Sequence, residues 1–321
     1  MEEKSFLNPY DNTEELLQQF PVEHPTPVTT EMEKRIQNRL LTGFANWNRG
    51  FDAWKAWGDI LYTPESLYNV HSVHLTLTEY QAAMYGTLRR ADIQMGAFHH
   101  MLVSDSWCAI RYAITTTPRG GGEAVHDTVM EFVHFGDFGK DLGTRVIEGW
   151  AGTRGKDYDM LTMLQTKEEK EAQARAQREI LSWKNPDTED LEKKYPVLHP
   201  TKVVGAQGEA MRQLILSSFD AWNTGSASWG DALSENLAAH FDDRDEDKAS
   251  YLAGRKREEE TVSTKRLYFD SMLLAGDMAA IHYRTARTDL ATGEKTPGER
   301  MQFLRFADEN GTLKIQEIWT K

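Results

Sequence analysis

Hydrophobic positions change their period along this chain, from helical to strand-like, and do so twice. Over residues 31–47, Met32, Ile36, Leu40, Leu41 and Phe44 recur at helical spacing, with Gly50 as a stop. The aromatic stretch WKAWGDILY predicts a short helix or turn. Residues 78–91 read as a helix, with Thr78 as candidate cap ahead of Glu79 and Gln81. From Gln94 the period falls to two. AFHHMLVS, SWCAIRYAITTT, AVHDTVMEFVHF and TRVIEGWAG alternate as strands do, broken by the turn-like Ser104-Asp105, PRGGG and GDFGKDLG. Helices are expected again over 207–222 and 245–261, followed by the strands KRLYFDSMLLAG, MAAIHYRTART, ERMQFLRFA and LKIQEIWTK. Short hairpin links within each set require antiparallel pairing.

The recurrence extends to identities. TEELLQQFPVEHPT (13–26) and TEDLEKKYPVLHPT (188–201) share eight of fourteen positions, and the same offset carries Phe44, Trp47, Asn48 and Gly50 onto Phe219, Trp222, Asn223 and Gly225. Further along, with small drifts in register, Trp57-Gly58-Asp59 meets Trp229-Gly230-Asp231. MLVSDSWCAIRY meets MLLAGDMAAIHY, EFVHFGDFG meets QFLRFADEN, and VIEGW meets IQEIW. A repeat of roughly 150 residues is the size of a whole domain rather than of a solenoid unit. The expected organisation is a first α+β domain over 8–166, a helical linker over 167–184 and a second α+β domain over 185–321. The linker is rich in Ala, Glu, Gln, Lys and Arg, and it lacks the apolar heptad of a coiled coil. The two PV-x-HPT segments are expected to be extended, because proline steers its predecessor away from helix. They read as arms packing on a neighbouring domain.

Composition narrows the function. The chain has 321 residues, 40% hydrophobic, with a formal net charge of −13, a surface that repels phosphate backbones, so no nucleic-acid partner is expected. One cysteine, Cys108, leaves no intrachain disulfide and no cysteine-rich metal site. No signal-like N-terminus and no membrane-length apolar run are present, so the expected location is cytoplasmic. No Walker loop, HExxH or dinucleotide fingerprint occurs. Gly120–Gly122 lies between two strand-like runs and reads as a hairpin loop, not a phosphate cradle. His71 and His74 stand at metal-ligand spacing for a helix but within a strand-like stretch. Neither a metal nor another cofactor is expected.

The closing run GERMQFLRFADENGTLKIQEIWTK resembles the last hairpin of the SnoaL-like polyketide cyclases, through Arg305-Phe306, Gly311, Ile315, Glu317 and Trp319. The first copy matches through Glu148 and Trp150, with Val146 for the Ile and His134 for the Arg, and DMLTMLQ (159–165) is similar to the family's tail. The resemblance implies the nuclear transport factor two-like fold. That fold is α+β, here two tandem cone-shaped α+β barrel domains, each with N-terminal helices packed on a strongly curved antiparallel sheet. The superfamily includes cofactor-independent enzymes and non-catalytic binding domains, so fold alone does not name a reaction.

The two copies differ in their polar residues. Seven of ten histidines fall in the first, which marks its pocket as the one tuned for chemistry. His24 and His199 lie in the matched arms and read as structural. Consecutive His99 and His100 cannot both point inward. On 125–135, His126, Met130, Phe132 and His134 share one face, while Asp127, Val129, Glu131 and Val133 share the other. Val146, Glu148 and Trp150 share a face by simple alternation, and Arg111 opposes Tyr112. The expected catalytic set is His99 or His100, His126, Glu148 and Arg111. Tyr62, Trp54, Trp57, Tyr112, Phe132 and Trp150 are expected to contact substrate. A histidine would move protons, Glu148 would fix its tautomer, and Arg111 or Tyr112 would hold an oxyanion.

These parts suit a lyase, isomerase or cyclase acting without cofactor on a small hydrophobic, aromatic or polycyclic molecule. The second copy would serve as intramolecular partner in a pseudo-dimer, with further homo-oligomerisation left open. The alternatives are a non-catalytic module binding a hydrophobic ligand, and an assembly protein using its sheet faces.

Overall fold

The computed structural model describes residues 12–70, 73–139, 143–152, 166–242 and 244–321. The chain divides into two compact units, Met1–Lys170 and Glu171–Lys321. The first contains α1 (Thr13–Gln19), β1 (Val22–Pro25), α2 (Glu31–Asn48), α3 (Phe51–Leu61), β2 (Tyr62–Val70), β3 (Val73–Thr76), α4 (Leu77–Arg90), β4 (Ala91–Ser104), β5 (Trp107–Pro118), β6 (Val125–Asp137) and β7 (Thr144–Gly152). Helix α5 (Lys167–Ser182) crosses the division. The second unit continues with α6 (Leu191–Lys194), β8 (Val197–Pro200), α7 (Gly205–Asn223), a 3-10 turn (Ala227–Ala232), β9 (Leu233–His240), β10 (Asp245–Asp247), α8 (Lys248–Glu259), β11 (Val262–Ala275), β12 (Met278–Asp289), β13 (Lys295–Glu309) and β14 (Thr312–Thr320). Among the described residues no helix is long and apolar enough to cross a membrane.

Each unit is an α+β layer pair with one seven-stranded sheet, ordered β1-β4-β5-β6-β7-β2-β3 and β10-β9-β14-β13-β12-β11-β8. Four strands form the expected antiparallel meander, β4 to β7 and β11 to β14. Neither sheet closes on itself, so the barrel is an open one, with β1 and β3 at the edges of the first. One sheet face of each unit packs on its long helix. Ile36, Leu41 and Phe44 meet Phe98, Ile110, Val133 and Phe135, while Ile215, Leu216 and Phe219 meet Phe269, Ile281 and Tyr283.

The PV-x-HPT segments are extended, but each joins its own sheet. β1 runs parallel to β4, with Val22 beside Phe98 and His24 beside His100, and β8 runs parallel to β11. This corrects the expectation of arms on a neighbouring domain. The backbone N–H of Phe98 and of Phe269 donates to the carbonyls of Pro21 and Pro196, so these segments satisfy sheet edges that would otherwise be open.

The repeated Trp-Asn dipeptide has a physical role. Trp47 Nε1 donates to Ile93 O, and Asn48 both donates to Met95 O and accepts from Met95 N, each at 2.8 Å. Trp222 and Asn223 make the same three bonds to Thr264 and Arg266. The pair clamps the end of the long helix to the sheet. Helix α4 is capped by Thr76, not Thr78. The Thr76 hydroxyl accepts from Glu79 N, and the Glu79 carboxylate accepts from Thr76 N, a reciprocal capping box. Histidine 74 lies on β3, confirming strand rather than helix there; His71 and the 159–165 tail lie outside the described residues.

Candidate active site

Under α2, α3 and α4 the first unit encloses a cavity of about 50 Å³. Trp54 and Trp57 come from α3, Tyr62 and Tyr68 from β2, Tyr80 from α4, Tyr112 from β5, Glu131 from β6, and Arg39 from α2. Of the residues expected to contact substrate, Trp54, Trp57, Tyr62 and Tyr112 line this cavity. Among the described residues, Glu131 is the one carboxylate on the wall.

Glu131 lies among phenols. Tyr112 Oη donates to Glu131 Oε1 at 2.5 Å, and Tyr68 lines the same wall beside it. Tyr80 stacks on Tyr68, ring centroids 4.3 Å apart. Burial among these rings disfavours the charged form of Glu131 and raises its pKa, although the bond from Tyr112 and the nearby Tyr68 phenol pull the other way. Burial, reinforced by the Glu131 charge, raises the pKa values of Tyr62, Tyr68, Tyr80 and Tyr112. The phenols therefore stay neutral donors through physiological pH, while the carboxyl is tuned toward it. Burial likewise pushes the Cys108 thiol up and keeps it unreactive. Arg39 is buried with its guanidinium 5.2 Å from the Trp57 ring centroid, so a fixed positive charge lies on the wall opposite the sheet.

The expected catalytic set His99, His100, His126, Glu148 and Arg111 is not assembled around this cavity, and Phe132 and Trp150 do not line it. Backbone bulges explain much of the correction. Register shifts on β4 flank Phe98, so Phe98 and Met101 both enter the core. His100 instead stacks on His24, centroids 4.6 Å apart. His99 Nδ1 lies 2.6 Å from Glu23 Oε2 at the sheet edge. A second shift sets Val146 beside Phe135 but Glu148 beside His134, which leaves Ile147 as the extra residue. Val146 then joins the core while Glu148 accepts from Asn69 Nδ2 at 3.0 Å. Arg111 lies between the core residues Ile110 and Tyr112 and so faces away from the helices, as does Phe132, between Glu131 and Val133. His126 is exposed near the β5–β6 loop, 3.0 Å from Thr115 Oγ1. Between the two faces of β6, the cavity uses the Val129, Glu131 and Val133 face, not the histidine face.

Glu131, Tyr68, Tyr80 and Arg39 were missed. The repeat itself carried a signal, because EFVHF aligned on QFLRF sets Glu131 against Gln302. In the second unit Gln302 lines the corresponding cavity of about 30 Å³, with Leu233 on the first residue of β9 where Tyr62 opens β2. Tyr68 faces Gly149 across β2 and β7, whereas Ala239 faces Ile318. The second cavity has thus exchanged acid for amide and two phenols for aliphatic side chains. Among the described residues no cluster of three or more His, Cys, Asp or Glu side chains could hold a metal ion.

No family model matches the chain, and no curated protein matches it in sequence. Solved structures do. The chain is similar in fold to SnoaL-like and NTF2-like proteins. A candidate SnoaL-like polyketide cyclase from Mesorhizobium loti is 14% identical, with 35% of this chain and 97% of that one covered and a TM-score of 0.28. A ketosteroid isomerase-like protein from Erwinia carotovora is 13% identical over 37% and 94% of the two chains, with a TM-score of 0.30. An NTF2-like protein of unknown function from Burkholderia pseudomallei is 12% identical over 34% and 88%, with a TM-score of 0.30.

Proposed function

We propose that the first unit is a cofactor-independent acid–base enzyme of the lyase, isomerase or cyclase type, acting on a small hydrophobic molecule with Glu131 as its proton carrier. The observation that carries this reading is a carboxyl group with a raised pKa, bonded to Tyr112 at 2.5 Å inside an aromatic cavity. A carboxylate in such surroundings is a stronger base than one in water, and its conjugate acid survives closer to neutral pH. Ionised Glu131 would take a proton from a carbon beside a carbonyl. A neutral phenol would hydrogen-bond the enolate oxygen, and protonated Glu131 would return the proton at a second carbon. Bond formation and bond breaking balance without an external oxidant or reductant.

Size constrains the substrate. A dry cavity that takes benzene measures about 150 Å³, three times the space beside Glu131 as it stands. An aromatic substrate would therefore enter by displacing Trp54, Trp57 or Tyr80 on α3 and α4, and a substrate of a few heavy atoms would fit directly.

The test compares wild type with Glu131→Gln, an amide that the second unit accommodates at the matching position. Both would be incubated with small carbonyl compounds, aromatic and polyketide panels and metabolite extract, and products read by mass spectrometry. Loss of an acid–base group is expected to slow turnover by about 100-fold or more. Equal turnover by the variant would remove Glu131 from the mechanism. A ligand retained by both, with product from neither, would make the unit a non-catalytic binding module.

A further inference from the structure

A second cleft of the first unit lies outside the Glu131 cavity. It has a volume of about 250 Å³ and is walled by Arg49 after α2, Phe51 at the start of α3, Tyr85 and Arg89 on α4, Asp92 and Gln94 on β4, and Arg119 after β5. Trp47 belongs to both walls. The chain carries a net charge of −13, yet three arginines converge here against one carboxylate, Asp92, which accepts from Gln94.

None of the three arginines forms an ion pair among the described residues. Arg49 Nη1 reaches only Asn46 Oδ1 at 3.4 Å, Arg119 Nε donates to the Leu88 carbonyl, and Arg89 lies over the Tyr85 ring. These contacts orient the guanidinium groups and leave most of their N–H donors unused. Phe51 and Tyr85 are 5.0 Å apart between ring centroids and supply an apolar wall.

Arg89 could simply offset the negative end of α4. The second unit tests that explanation, because α8 also ends with basic residues, Lys256 and Arg257. There the remaining positions differ. The bond from Arg119 N to Arg90 O is matched by that from Leu290 N to Thr261 O. The helix-end clamps align Arg49 with Thr224, and α4 with α8 aligns Arg89 with Glu260. The same scaffold thus stands without these three arginines. Fold and helix electrostatics do not require them.

We propose that this cleft binds a small organic anion, a carboxylate or phosphate joined to a planar apolar group. Guanidinium groups from α2, α4 and β5 would take the anion through paired N–H donors, and Phe51 and Tyr85 would flank the apolar part. The inference is independent of the acid–base reading of Glu131.

The experiment titrates the full chain with 1-naphthoate and 1-naphthyl phosphate by calorimetry at low salt, with 1-naphthalenemethanol as the neutral control. The anions are expected to bind saturably and the alcohol at least about tenfold more weakly. Arg49→Thr/Arg119→Leu installs the second unit's own residues and should fold; it is expected to weaken the anions by about tenfold per arginine. Circular dichroism of that variant confirms folding. Absence of saturable anion binding, equal binding of the alcohol, or full affinity in the double variant would each overturn the proposal. Glu131→Gln is expected to leave naphthoate affinity unchanged. Affinity lost there but kept in the arginine variant would put the probe in the inner cavity and overturn the cleft site while leaving the acid–base reading standing.

Discussion

Tyr68 and Gly149 face each other across β2 and β7, and a methyl group added to Gly149 would stand 2.6 Å from Tyr68 Cε2. The glycine is the space into which the phenol fits. The second unit reverses the sizes, with Ala239 opposite Ile318. One cross-strand pair thus exchanges bulk between partners, and the exchange puts a phenol on the wall beside Glu131 in the first unit only.

Gly149→Ala is expected to displace the Tyr68 ring and to cost about 1–3 kcal/mol of stability through overpacking. Urea unfolding measures the loss. Gly149→Ile should cost more still, and combining it with Tyr68→Ala, which installs the second unit's own pair, should recover much of that loss. No recovery would show that the strain lies elsewhere.

The raised pKa of Glu131 has a signed consequence for stability. A carboxyl whose folded-state value lies above its unfolded value, near 4.5, does not penalise folding at lower pH. As pH rises through the folded-state value, the unfolded chain ionises more readily and stability is lost. Wild type should therefore lose stability relative to Glu131→Gln as pH rises from about 4.5 through the folded-state value. Parallel stability curves for the two proteins across that window would contradict the assignment.

Tyr112 opposes that shift. Its hydrogen bond favours ionised Glu131, so Tyr112→Phe is expected to move the Glu131 titration to still higher pH. Carboxyl NMR of the labelled protein follows it directly. An unchanged or lower midpoint would mean that Tyr112 does not hold the ionised form.

Asn48 satisfies both the N–H and the carbonyl of Met95. Asn48→Ala leaves both backbone groups without that partner and is expected to destabilise the first unit by about 2–4 kcal/mol. Asn223→Ala should do the same to the second unit through Arg266. Denaturant unfolding, with hydrogen exchange to resolve the units, reads each effect.

Much of the fold was legible because periodicity reports which face of an element is buried. The strands of both meanders and the long helices α2 and α7 stand where alternation and helical spacing put them. The site was less legible because alternation counts residues evenly, whereas bulges insert one. Around Phe98 and at Ile147 that single extra residue turns His100 and Glu148 away from the pocket. On β6, which has no such shift between Val125 and His134, parity held. There the difficulty was choosing a face, and histidine chemistry drew attention from Glu131. The substitution of Gln302 for Glu131 was visible, but its meaning depends on three phenols from β2, α4 and β5 that only the folded chain brings together.

The proline-bordered strands β1 and β8 carry one last implication. Each starts directly after a proline, Pro21 or Pro196, and ends in another, Pro25 or Pro200. Proline lacks an N–H, so the outward row of donors on these short edges is interrupted, and an incoming strand finds a poor template. The same four residues that complete each sheet also terminate it, a safeguard against edge-to-edge polymerisation when the protein is concentrated.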